Sequence, residues 1–128
     1  MAGFYRAAGR LAVFNVGDSR VYILRGHRLE LLSVDDTLPR RAPGRSNALT
    51  QSLGGTSQPV PLDPHVASIE PVAGDRLLIC TDGLTDMLDE EAVCARLRAV
   101  TENPAAALAD AAVDAGGRDN VTVVVAAF

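Results

Sequence analysis

Apolar residues fall in short runs in the first third of the chain, punctuated by glycine. Residues 4–8 form the first run, which ends at Gly9-Arg10. Residues 11–16 form the second, followed by Gly17-Asp18-Ser19. Residues 20–25 come next, then Gly26-His27, then residues 28–33. Four short β-rich runs joined by glycine-containing turns predict an antiparallel meander.

The pattern then changes. Residues 35–45 are polar, hold Pro39 and Pro43, and have no periodicity, as a loop would. Residues 47–53 read as a helical turn or two, stopped by Gly54-Gly55. Pro59, Pro61 and Pro64 keep the following stretch extended. Residues 66–70 alternate like a strand, 72–75 form a turn, and 76–81 are a largely apolar strand buried on both faces. Asp89 is placed to cap a helix whose apolar face is Val93, Leu97 and Val100. Asn103 caps a second helix, with Pro104 in its first turn, Leu108, Ala112 and Ala115 on one face, and Gly116-Gly117 as the stop. Residues 121–127 make a last strand. This order predicts one α+β domain.

Composition narrows the function classes. The chain has 128 residues, 48% of them hydrophobic, but 20 are Ala, so aliphatic core formers are fewer than the fraction implies. The net charge is −4 and the pI about 5.0, an acidic balance that argues against nucleic acid as the main ligand. Cys80 lies in an apolar run and Cys94 in a helical stretch, so both read as buried free thiols. No stretch reaches the ~18 apolar residues of a membrane span, and residues 1–6 lack the apolar run of a secretory signal. The expectation is a cytoplasmic protein with no membrane role.

Aspartate outnumbers glutamate eleven to five, so the positions of those residues matter. Asp82 follows an apolar strand and precedes Gly83, where the backbone can approach something closely. Asp119 lies in Gly116-Gly117-Arg118-Asp119-Asn120, just before the last strand. Asp18 lies between two strands. Each alone is an ordinary turn residue; three at strand ends make a donor set for Mg²⁺ or Mn²⁺, which take oxygen ligands. Spacing alone does not bring them together. His27 and His65 read as solvated, Arg40, Arg41 and Arg45 as an exposed loop, Asp86 as a local cap, and Asp35 and Asp36 as servants of the turn that leaves the meander.

Four stretches carry a resemblance. Asn15-Val16-Gly17-Asp18-Ser19-Arg20-Val21-Tyr22, Leu49-Thr50-Gln51-Ser52-Leu53-Gly54-Gly55, Leu78-Ile79-Cys80-Thr81-Asp82-Gly83-Leu84 and Gly117-Arg118-Asp119-Asn120-Val121-Thr122-Val123 resemble, in order and spacing, successive motifs of the metal-dependent type 2C Ser/Thr protein phosphatases, bacterial branch. The resemblance covers essentially the whole chain. It implies the C-terminal half of an α-β-β-α sandwich, with antiparallel sheets inside and helices outside. It implies two to three Mn²⁺ or Mg²⁺ ions in the complete domain and hydrolysis of phosphoserine or phosphothreonine in a phosphoprotein by a metal-activated water. Asp82 and Asp119 match acids of the metal centre, and Asp18 matches an acid of a further, weaker ion. Asn120 matches a neighbour that orients Asp119, and Gly83 and Gly117 match turn glycines.

The same resemblance marks a departure. The family's Asp-Gly-x-Gly-Gly motif does not occur, and Met1 falls inside a strand that the family enters from upstream. The stretch between Thr37 and Leu49, where many bacterial members carry a longer flap, is short. Residues 1–128 are therefore expected to be a partial phosphatase domain without its N-terminal half, and inactive alone. It is also expected to associate with that half or with itself through open strand edges. The alternative is a non-catalytic phosphatase-like module that binds a partner or phosphoprotein.

Overall fold

The computed structural model describes residues 1–38, 48–55 and 60–128. The chain runs β1 (Ala2–Ala7), β2 (Arg10–Asn15), β3 (Arg20–Arg25), β4 (Arg28–Leu31), β5 (His65–Ile69) and β6 (Arg76–Cys80). It continues with α1 (Asp82–Thr85), α2 (Glu90–Arg98), α3 (Pro104–Asp114) and β7 (Val123–Ala127). Two antiparallel sheets form, one ordered β1-β2-β5 and the other β4-β3-β6-β7. The α+β class and the antiparallel sheets flanked by helices are as expected.

The predicted four-strand meander is corrected. β1 and β2 make one hairpin and β3 and β4 another, but β2 pairs with β5 while β3 pairs with β6. The link 16–19 crosses between sheets instead of closing a hairpin. The burial pattern explains the split. β3 buries four consecutive residues, Val21 to Leu24, so both of its faces need cover. Val21 and Ile23 pack with Val13 and Leu77 between the sheets, joined by Phe4, Ile69 and Phe128. Tyr22 and Leu24 point the other way, with Leu78 and Cys80, into a layer made by Leu84, Leu88, Val93, Leu97, Leu108 and Ala112. The result is helices on sheet on sheet. Each fully buried leucine there contributes about 1.5–3 kcal/mol relative to exposure.

The helix termini follow their caps. Asp89 Oδ1 accepts the Ala92 N–H at 2.8 Å, and Asn103 Oδ1 accepts the Ala106 N–H at 3.0 Å. Past α3, the N–H of Gly117 reaches the Ala112 carbonyl at 3.1 Å. Val100, expected on the apolar face of α2, is instead fully exposed, because the helix stops at Arg98 and Ala99 turns extended. Ala115 likewise caps α3 in the open rather than packing. No helix forms within the described residues 48–53; Leu49 instead makes a bridge with Thr37. The last strand starts at Val123, two residues later than predicted, and β4 ends at Leu31. The arginines at 40, 41 and 45 and the shortened flap stretch lie outside the described residues. Both cysteines are free, and burial pushes the Cys80 thiol up to about 12, far from reactivity at neutral pH.

Candidate metal centre

Register fixes the site. Arg20 pairs with Cys80, and Cys80 pairs with Val123, so one end of the four-stranded sheet is defined by the start of β3, the finish of β6 and the start of β7. Asp18 lies two residues before that end, Asp82 two residues after it, and Asp119 four residues before it. The three candidate acids therefore leave the same end of the sheet.

Asp82 opens α1, a four-residue helix that the sequence reading had not placed. Thr81 turns the chain into it. The Thr81 hydroxyl donates to the Asn120 carbonyl at 3.1 Å and accepts the Thr122 N–H at 3.0 Å. The Thr81 N–H also reaches the Thr122 carbonyl at 3.1 Å. Gly83 completes the junction: a Cβ there would lie 2.4 Å from the Asn120 oxygen. Only a glycine lets α1 sit against the loop that carries Asp119. In that loop the Asn120 N–H donates to Asp119 Oδ1 at 2.7 Å, so the contact with Asp119 runs through the Asn120 main chain. Thr81 was missed because a threonine ending an apolar strand carries no sequence sign of such a role.

Electrostatics tie the acids together. Burial, and then the negative charges of Asp18 and Asp119, hold the Asp82 carboxyl above its ordinary range, against a hydrogen bond from the Gly83 main chain. A buried carboxyl whose ionisation two neighbouring carboxylates oppose belongs to a donor set that a hard divalent cation would relieve. Among the described residues, no three His, Cys, Asp or Glu side chains come close enough to close round one ion. The candidate site has the ligand type that such an ion takes, in a set left open among the described residues.

Three residues read as bland make specific contacts. His65 Nε2 lies 2.8 Å from Asp36 Oδ1, so His65 is not simply solvated, and Asp36, 6% exposed, does more than serve a turn. Asp35 forks onto Arg20, accepting from Nε at 3.0 Å and Nη2 at 2.6 Å. Asp86 does act locally: its N–H closes α1 on the Asp82 carbonyl at 2.8 Å. His27 is exposed at the β3–β4 turn, as expected.

No protein-family model matches the chain. Known proteins do. The serine/threonine protein phosphatase PstP of Mycobacterium tuberculosis is 37% identical over 136 residues, covering 94% of this chain and 25% of PstP. The serine/threonine phosphatase Stp of Listeria monocytogenes is 32% identical over 134 residues, covering 92% of this chain and 52% of Stp. The catalytic domain of PstP, solved in complex with two manganese ions, superposes with a TM-score of 0.82 at 34% identity, over 98% of this chain and 56% of that one. The chain belongs to the type 2C family of Ser/Thr protein phosphatases. It spans a quarter to about half the length of these type 2C relatives. Among the described residues, no helix is long and apolar enough to cross a membrane.

Proposed function

We propose that this chain supplies Asp82, Asp119 and Asp18 to the metal centre of a type 2C phosphatase that hydrolyses phosphoserine and phosphothreonine in proteins. The observation that carries the reading is the shared end of the sheet, where burial and then the charges of Asp18 and Asp119 raise the Asp82 carboxyl. Mn²⁺ or Mg²⁺ would be held by these carboxylates, and when bound would supply an activated water and a counter-charge for the phosphoryl oxygens. The chain's own part is positional. Thr81 and Gly83 lock the Asp119 loop to α1, and Asn120 holds the Asp119 carboxylate by its N–H. Support for manganese comes from the PstP domain, which was solved with two such ions.

The same reading takes these residues as one part of a phosphatase domain whose remaining ligands come from outside residues 1–128. It rests on the open donor set among the described residues. The alternative reading is a non-catalytic module that binds a phosphoprotein or partner, and the same open set favours it for the chain by itself. An assay of the purified chain with Mn²⁺ and a phosphothreonine peptide is expected to give no turnover above buffer. Turnover that Asp82→Asn abolishes would overturn the claim that outside ligands are needed. Loss of activity on Asp82→Asn or Asp119→Asn in a longer protein containing this chain is the positive test, and full activity of both variants would reject the site.

A further inference from the structure

The turn that carries Asp18 is bound on nearly every side to the segment after β4. Asn15, 1% exposed, donates from Nδ2 to the Val34 carbonyl at 2.6 Å and accepts the Val34 N–H at 3.2 Å. The Val21 N–H donates to Ser33 Oγ at 2.9 Å, and Arg20 forks onto Asp35. Asp36 is the centre of this lattice. Its Oδ2 accepts the Gly17 N–H at 2.9 Å, and its Oδ1 accepts Gln51 Nε2 at 3.0 Å and faces His65 Nε2 at 2.8 Å. Its own N–H donates to the Gly17 carbonyl at 3.1 Å, and its carbonyl accepts the Thr50 N–H at 2.8 Å. Gln51 is held in turn by the Asp63 main chain, through bonds of 2.8 and 3.2 Å.

Chemistry requires an acid at this position. A buried carboxylate is costly unless donors satisfy it, and here three donors converge on two oxygens. An amide offers one acceptor oxygen and turns an N–H₂ toward a donor, so Asn does not substitute for Asp. The group that this acid fixes is Gly17, whose φ of +96° suits glycine and which immediately precedes Asp18. Among the described residues, the Asp18 carboxylate itself accepts no hydrogen bond. The Gly17 main chain that leads into it is held by Asp36 at both its N–H and its carbonyl.

We infer that Asp36, closed from behind by Gln51 and His65, is a positioning residue that aims Asp18 at the Asp82 end of the sheet and so sets the affinity for the divalent cation. The inference rests on the proposed reading of Asp18 as a metal ligand. It adds that segments remote in sequence, at 51 and 63–65, tune that ligand without touching the ion.

The test is a Mn²⁺ titration of the ¹⁵N-labelled chain, following paramagnetic loss of the amide signals of Asp18, Asp82 and Asp119. In the parent chain the loss is expected to centre on these three residues. Asp36→Asn is expected to raise the half-saturating Mn²⁺ concentration about tenfold, the usual scale for removing a ligand's support. His65→Ala and Gln51→Ala, each of which removes one donor at a partly exposed site, are expected to raise it severalfold while the spectrum stays folded. A folded Asp36→Asn with the parent's half-saturation overturns the inference. If Asp36→Asn does not fold, unchanged half-saturation in both donor variants overturns it. Asp18→Asn is the separating control. If it leaves Mn²⁺ binding unchanged, the reading of Asp18 as a ligand fails. If it weakens binding while the Asp36 series does not, only the positioning inference fails.

Discussion

Gly83→Ala tests the junction on which the candidate centre depends. The added Cβ would sit 2.4 Å from the Asn120 oxygen and 3.0 Å from its carbonyl carbon, where ordinary contact begins at 3.4 Å. Relief requires the main chain of the Asp119 loop to move by about 1 Å, because both obstructing atoms are backbone. Overpacking of this kind costs about 1–3 kcal/mol. The movement also strains the Thr81 hydroxyl bond to the Asn120 carbonyl, worth about 1 kcal/mol. Against this, alanine gains roughly 1 kcal/mol over glycine inside a helix. The net expectation is a loss of about 2 kcal/mol, or a midpoint lower by roughly 6–10 °C for a chain of this size. The assay is thermal and urea unfolding of the purified chain, alone and in a double-mutant cycle with Thr81→Val. If the two changes act on the same contact, the pair should lose less than the sum by about 1 kcal/mol. Gly3→Ala is the control: its Cβ would meet only the far end of the Phe14 ring, which can swing aside. A Gly83→Ala chain that melts within a degree of the parent, or a cycle with strictly additive losses, would refute the reasoning.

Other consequences follow from single sites. Ala8 and Gly9 both have positive φ, 48° and 80°, so the β1–β2 hairpin closes in a type I′ turn with an alanine in the left-handed region. Ala8→Asn should stabilise the chain by about 0.5–1 kcal/mol, and an unchanged or lower urea midpoint would contradict that turn. Asp75 is 1% exposed and accepts from Arg25 Nη2 at 2.7 Å, Arg25 Nε at 3.0 Å and the Val72 N–H at 2.9 Å. Arg25 holds its carboxyl below the ordinary value of 3.8, so the stability it contributes is complete above that value and is lost as pH falls through the lower, folded one. Asp75→Asn should cost about 1–3 kcal/mol at pH 7, and the gap to the parent should shrink on acidification; a gap independent of pH would show that the charge is not the cause. Asp82→Asn removes a carboxylate that burial penalises and its neighbours repel, and should raise the metal-free midpoint at low salt, with only the part due to repulsion lost at high salt. A lower midpoint at low salt would count against repulsion at this end of the sheet.

The fold was legible where local chemistry decides it. Asp89 and Asn103 start their helices because a carboxylate or amide oxygen meets an orphan N–H within three residues, and that is written in the sequence. The split of the meander was not, since a hairpin turn and a sheet-to-sheet crossing both read as glycine and aspartate between apolar runs. The deciding fact is that β3 is apolar on both faces, which a neighbouring hairpin cannot satisfy. Val100 failed for a related reason: its spacing from Val93 and Leu97 is helical, but the helix ends before reaching it.

The candidate site divides along the same line. Asp18, Asp82 and Asp119 stand out as acids at strand ends, and pairing of β3 with β6 and β6 with β7 is enough to carry them to the same end of the sheet. The residues that hold them there, Thr81 and Asp36 with Gln51 and His65, carry no such mark, because each works through partners between 12 and 41 positions away. The identity of these candidate acids is a property of short motifs, whereas their placement is a property of hydrogen bonds that close only after the sheets have formed. A variant that keeps every motif intact and changes Asp36 should therefore retain the fold's core and lose the geometry of its acidic end.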